Sequence, residues 1–318
     1  MSSLMRNGLM RNRLTPDSHI SNKVDFPAIR RIGPDDLRTC AELAVDRGWW
    51  PERGKWSLLL AESEGYGVDA PDGQGLAGTV VLTRWGADRA AIGMMITASR
   101  YGGCGLGRAL MEHALRTAGE GVAVSLFATD SGRPLYDKLG FQPVRRSVAF
   151  RGQFRAGPQT KNSRKSEASA GATESSGNIR VVTEADLPAI LALDRATYGA
   201  DRERILAHLP AFAHRFVVLE AGEGIVGYAA VWRTEAWAVI GPLVAPDDAA
   251  AKRLITELAA HLTVPVRLDL DPDRSELAGW ARAHGLLSTE RTVVMTHGDL
   301  PPRGIPERLY SPISVACA

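Results

Sequence analysis

At 318 residues the chain is too long for one ordinary domain, so two are expected, and 45% apolar with 23% charged residues is the composition of a soluble globular protein. A net charge of +2 on 38 basic and 36 acidic residues argues against a nucleic-acid surface as the main function, and no apolar run reaches the roughly 18 residues that cross a membrane. Cys40, Cys104 and Cys317 are odd in number and far apart, which fits a reducing, cytoplasmic setting and provides neither a disulfide framework nor a metal set.

Residues 1–26 hold Arg6, Arg11 and Arg13, little apolar content and no signal-peptide core, and read as a disordered N-terminal extension. After Ile29-Arg30, Asp36-Leu37 opens a helix with the aspartate as cap or first-turn acid. Gly48-Trp49-Trp50-Pro51 interrupts the early helical segment, which resumes through Trp56 towards Glu62 and Glu64. Gly75-Leu76-Ala77-Gly78 leads into a strand, and the apolar run from Ala90 to Ile96 is another. That run enters Tyr101-Gly102-Gly103-Cys104-Gly105-Leu106-Gly107-Arg108-Ala109-Leu110-Met111, a tight turn followed by a helix start. Glycines without a Cβ let successive backbone N–H groups face one concavity, and the helix adds its unpaired amides and the positive end of its dipole. The product is a cradle for a phosphate. Gly107 is followed by Arg108-Ala109 rather than Lys-Ser/Thr, which speaks against a P-loop; no run of βαβ units surrounds the turn, which speaks against a dinucleotide fold.

Val122 to Phe127 reads as the next strand, Ala128 to Arg133 as a polar turn, and Pro134-Leu135-Tyr136-Asp137-Lys138-Leu139-Gly140-Phe141 as a short helix stopped by glycine. Together with Gly93 to Met111, Leu135 to Val144 resembles the two signature motifs of the GNAT superfamily of acetyl-CoA-dependent N-acetyltransferases, in the right order. The resemblance covers roughly Ile29 to Gly152. It departs at Gly102, Gly103 and Cys104, where the family usually carries Gln or Arg, Gly, then Arg or Lys; weaker coenzyme binding is expected, with Arg100 and Arg108 in partial compensation.

Gly152 to Asn178 is rich in Ser, Gly, Ala, Lys and Glu and reads as a flexible linker, 153–177. Beyond it the plan repeats. Ile179-Arg180 and Asp186-Leu187 echo Ile29-Arg30 and Asp36-Leu37; Gly224 to Gly227 echoes Gly75 to Gly78; Ile240-Gly241 echoes Ile92-Gly93; Gly285 and Arg291 echo Gly140 and Arg146. The expected architecture is α/β (α+β): two tandem GNAT-like domains, 27–152 and 178–318, each a mixed, mostly antiparallel, curved sheet flanked by helices. It resembles bacterial two-domain proteins of the YitH-like kind, with a catalytic first and a divergent second domain. In the second copy Asp247 and Asp248 stand at the helix start and would repel phosphate, and Trp280 stands near the place of Tyr136.

The resemblance implies an acyltransferase that moves acetyl from acetyl-CoA, as cosubstrate, to the amine of a small molecule by direct attack in a ternary complex. Gly102, Gly103, Cys104, Gly105, Leu106, Gly107 and Arg108 would hold the coenzyme phosphates, Met95, Ile96 and Thr97 its pantetheine and thioester, and Tyr136 would protonate the departing thiolate. Trp49, Trp50 and Asp130 are candidates for the acceptor side. Each has a plainer reading, packing for the tryptophans and a helix cap for Asp130; Glu62 and Glu64 are further acids without an assigned role. No metal, nucleic acid or membrane is expected as partner, and oligomeric state, monomer or homodimer, stays open. The alternatives are a GNAT using another acyl group or acceptor, and a non-catalytic acyl-CoA-binding sensor.

Overall fold

The computed structural model describes residues 24–156, 176–222, 224–299 and 303–317. Most of the expected N-terminal extension and most of the expected linker lie outside the described residues. The first half runs β1 (Arg30–Ile32), α1 (Leu37–Asp46), α2 (Arg53–Glu62), β2 (Glu64–Asp69), β3 (Leu76–Trp85), β4 (Arg89–Thr97), α3 (Leu106–Ala118), β5 (Ala123–Ala128), α4 (Arg133–Lys138) and β6 (Gln142–Gly152). The second repeats it: β7 (Asn178–Val181), α5 (Leu187–Tyr198), α6 (Glu203–Leu206), α7 (Leu209–Phe212), β8 (Arg215–Ala221), β9 (Gly224–Arg233), β10 (Ala238–Val244), α8 (Asp248–Ala259), β11 (Val266–Leu270), α9 (Ser275–Ala283) and β12 (Leu287–His297). One short strand, β13 (Leu309–Ser311), follows.

The mixed sheet with flanking helices is as expected. Its connectivity adds something the repeat does not announce: the halves exchange their last strands. β12 pairs antiparallel with β5 of the first half, β6 pairs antiparallel with β11 of the second, and β6 and β12 pair with each other, so one sheet runs through the molecule. Either last strand could satisfy either neighbour, because both follow an equivalent helix and carry similar patterns. The exchange also merges the cores. Trp56, Trp85, Met94 and Ile96 of the first half share one buried cluster with Ile190, Phe216, Tyr228 and Ile313 of the second. Under α3, Leu106, Leu110, Met111 and Ala114 pack on Val80, Ile92, Leu126 and, from the exchanged β12, Met295. No described helix is long and apolar enough to cross a membrane.

Candidate functional site

The site begins where a parallel pair comes apart. β4 and β5 pair from Arg89↔Ala123 to Ile92↔Leu126 and no further. On its other edge β4 stays joined to β3, with a bulge between Gly93 and Ile96. Met94, in that bulge, has φ +47°, a left-handed conformation unfavourable for an unbranched non-glycine side chain; the Thr79 hydroxyl donates to its carbonyl at 2.9 Å. The bulge sends Met94 into the core shared by the halves and leaves Met95 half-buried on the α3 side. Beyond Ile92 no strand covers the β5-facing edge of β4 among the described residues.

The glycine turn follows at once. Gly103 (φ +77°) and Gly105 (φ +82°) take left-handed conformations, and a Cβ on either would meet nothing within 4 Å, so the backbone angle and not crowding calls for glycine. Gly105 is the N-cap of α3 and offers no side chain, so the first intrahelical bond is Ala109 N–H to Gly105 O at 3.1 Å. The amides from Gly103 to Arg108 have no hydrogen-bond partner among the described residues. They form a row of donors at the positive end of a helix dipole.

Three elements converge here. A Cβ on Gly107 would lie 3.0 Å from Met95 Cε, 3.5 Å from Leu135 Cδ2 and 3.6 Å from Thr97 Cγ2, so the start of α3, the open edge of β4 and α4 meet around this glycine. α4 carries Tyr136, 8% exposed, packed against Phe141 and Gly132; its hydroxyl has no hydrogen bond to a described residue, and burial pushes the phenol up to about 12.

The other candidates sit differently. Arg100 donates to Asp72 at 2.9 Å and to the Gln74 carbonyl at 2.8 Å, so it is engaged beside the turn; Arg108 donates to Glu112 at 2.8 Å in an exposed pair of the kind that exchanges readily. Asp130 does not cap α4: the Gly132 N–H goes to the Thr129 carbonyl at 3.0 Å and hydroxyl at 3.3 Å, because Thr129 already closes that turn. Trp49 and Trp50 are exposed in the α1–α2 connection, Trp50 meeting Trp237 of the second half edge-on at 6.0 Å; Trp56 is wholly buried and packs the core. Glu62 is held by His208 at 3.0 Å and Arg204 at 3.3 Å, and Glu64 by Arg84 at 2.6 Å. Burial pushes the Cys40 thiol up to about 12 and the Cys317 thiol up to about 11, while Cys104 stands exposed in the turn.

In the second half the corresponding places are filled. β10 and β11 part after Ile240↔Leu268, as β4 and β5 part after Ile92↔Leu126. There β13 pairs with β10, Leu243↔Ser311 and Val244↔Leu309, while β9 holds the opposite edge. Asp247 caps α8, its carboxylate accepting from Ala250 N–H at 2.8 Å, and Asp248 accepts from the Tyr310 hydroxyl at 2.9 Å. The chain's own C-terminal segment thus lies in the second splay. Sequence reasoning did not find it, since a three-residue strand leaves almost no periodic trace.

Residues 34–141 match the model of the acetyltransferase (GNAT) family, and residues 190–311 match a second acetyltransferase (GNAT) domain model. The uncharacterized N-acetyltransferase YitH of Bacillus subtilis is 28% identical over 244 residues, which cover 76% of this chain and 79% of that protein. A crystal structure of a Pyrococcus horikoshii protein superposes with a TM-score of 0.73 at 18% identity, covering 96% of this chain and 100% of that one. A tandem GNAT protein from the clavulanic acid biosynthesis pathway superposes with a TM-score of 0.58 at 14% identity, covering 86% and 99%. A GCN5-related N-acetyltransferase from Sphaerobacter thermophilus gives 0.58 at 16% identity, covering 87% and 97%.

Proposed function

We propose, from the premise that this chain belongs to the GNAT family and is an acyltransferase of tandem GNAT domains, that its first half moves acetyl from acetyl-CoA to the amine of a small molecule in a ternary complex. The second half binds no coenzyme. The observation that carries this reading is the open edge of β4 after Ile92, set beside the unpaired amides of Gly103 to Arg108. That pairing fits a long polar arm ending in a diphosphate: the amides take the phosphate oxygens, and the main chain of Met95, Ile96 and Thr97 takes the place of a strand partner for the pantetheine.

A main-chain donor on that edge polarises the thioester carbonyl without a charged side chain. The neutral amine forms the C–N bond as the C–S bond breaks; the sulfur leaves with the electron pair and receives a proton from Tyr136, the amine's surplus proton passes to water, and water returns a proton to the Tyr136 phenolate. A phenol at about 12 is protonated throughout the neutral range, so it acts as a donor and not as the base. Halves 27–152 and 178–318 then have separate tasks, transfer in the first and support in the second.

Calorimetry is expected to give one acetyl-CoA per chain; two sites, or none, would defeat the assignment. Tyr136→Phe should lower kcat about a hundredfold, the lower end of what a positioned acid supplies, with little change in acetyl-CoA affinity. Wild-type turnover should show no loss from phenol ionisation below about pH 11, because the folded pKa is raised and the donor form persists up to it. Unchanged kcat in the Phe variant removes Tyr136 from the reaction. A second reading, a sensor that binds acyl-CoA without turnover, draws on the missing cations at Gly102 and Cys104 and on Arg100 being tied to Asp72. Thiol release with an amine panel separates the two.

A further inference from the structure

β13 accounts for the splay of the second half; the residues after it bear on the splay of the first. Beyond Ser311 the chain runs between the halves, with Ile313, Ala316 and Cys317 buried in their common core. Its path is fixed at several points. Ser311 Oγ donates to the Ile240 carbonyl at 3.0 Å, and Trp232 Nε1 donates to the Ile313 carbonyl at 3.1 Å. A Cβ on Gly241 would lie 2.0 Å from the Pro312 carbonyl oxygen, and one on Gly93 would lie 1.8 Å from that of Ala316. Gly93 and Gly241 occupy matching places, each directly after the last parallel pair of its half. Two equivalent corners therefore press on one segment of backbone, and both corners are glycine because the segment leaves no room for a side chain.

The two contacts do different things. At Gly241 the segment continues a strand that already occupies the splay. At Gly93 it touches the corner from which the open edge departs. That edge lacks a partner on the β5 side, so its position depends on β3 and on what packs against its faces. Met94 adjoins the corner in a left-handed conformation, which persists only where the surroundings over-determine it. The Thr79 hydroxyl holds the Met94 carbonyl; Ala316 backs the neighbouring Gly93, and Ile96 shares its buried cluster with Ile313, Ala316 and Cys317.

We propose that residues 312–317, delivered by the second half, form a positioning segment for acetyl transfer in the first: they hold the Gly93–Met94 corner, and with it the edge Met95–Thr97 on which the thioester lies. The segment touches no reacting atom. This rests on the function proposed above, and it gives a half without a coenzyme site a task in the reaction.

The test is a chain ending at Ser311, which keeps β13. Hydrogen exchange at Ile96, which pairs with Thr79 of β3, should quicken at least tenfold relative to the intact chain, while Val124 to Leu126 stay unchanged. Acetyl-transfer kcat should fall at least tenfold, while affinity for ADP, which probes the glycine turn alone, changes less than threefold. A synthetic peptide of residues 312–318 should restore both exchange protection and part of kcat, a rescue that mere loss of stability would not give. Wild-type exchange and wild-type kcat in the shortened chain would overturn the proposal. Should that chain not fold, Gly93→Ala in the full chain gives the same readouts, and normal exchange and turnover there would overturn it equally. If the intact chain acetylates no amine, the enzymatic reading fails by itself, and the exchange comparison still decides whether the segment holds the corner.

Discussion

Gly105→Asp is expected to weaken acetyl-CoA binding by about a thousandfold or more and to leave the fold intact. The second half carries a carboxylate at the equivalent helix start. There Asp247 is the N-cap of α8 and its carboxylate accepts the Ala250 N–H, whereas the first half has Gly105 as N-cap of α3 and leaves the same kind of donors free. An aspartate at Gly105, held at φ +82° where Asp247 is extended, would place a negative charge beside the free amides of the turn, where the phosphates would go. Charge-assisted hydrogen bonds are worth about 1.5–3 kcal/mol each, and about 1.4 kcal/mol is tenfold in affinity, so losing three reaches the stated effect before repulsion is counted. The cost to folding is small. Gly105 has φ +82°, which aspartate tolerates better than most residues, and a carboxylate at a helix start is itself favourable. Calorimetry should show binding lost with thermal unfolding shifted by only a few degrees. Gly105→Ala separates the contributions: it carries the backbone strain without the charge and should retain most of the affinity. Tight binding by the Asp variant would mean that the turn is not the phosphate cradle.

How much of this was written in the sequence depends on the range over which each feature acts. The glycine turn, the helix behind it and the short helix with Tyr136 are local, and each follows from residue types at fixed spacing. The duplication was legible too, because Asp36-Leu37 and Asp186-Leu187, or Ile92-Gly93 and Ile240-Gly241, recur in the same order. The exchange of β6 and β12 was not. A strand's pattern states that one face is buried, not which equivalent neighbour it joins, and a repeated plan doubles the candidates. The partners of polar side chains were equally hidden. Arg100 and Asp72 are 28 positions apart and their pairing comes from the fold, while Asp130 loses the helix cap to its neighbour Thr129 through a difference of one position. The fate of the second splay had one trace in the sequence: a glycine at position 241, in a copy that has Asp247 and Asp248 where the first has its glycine turn. A glycine on an ordinary strand corner means close approach of backbone, and there the approaching backbone is Pro312.

The largest effect on stability is expected from Asp194→Ala, at about 3–5 kcal/mol. Asp194 on α5 and Arg202 before α6 form an ion pair whose side chains are 1% and 0% exposed, with bonds of 2.5 and 3.1 Å. The Tyr228 hydroxyl of β9 donates to the same carboxylate, and the Tyr198 ring lies 4.0 Å from the guanidinium carbon. One guanidinium nitrogen, Nη1, has no partner among the described residues, so the charge is already incompletely solvated. Removing the carboxylate strands a buried cation and a buried phenol together, which costs far more than the pair contributes. Urea unfolding should show the loss as one cooperative transition, since the exchanged strands and the shared core leave neither half able to melt alone. Replacing both partners by apolar residues, Asp194→Leu with Arg202→Met, should recover part of the stability, because no charge is then left buried while the Tyr228 hydroxyl still lacks its acceptor. The double variant also bears on the site. Tyr228 belongs to the cluster that contains Met94, Ala316 and Cys317, and the Arg202 charge reaches the Cys317 thiol. A stable double variant with full transfer activity would show that the pair serves folding alone, whereas a stable one with lowered kcat and normal coenzyme affinity would tie this buried cation to the seating of the C-terminal segment.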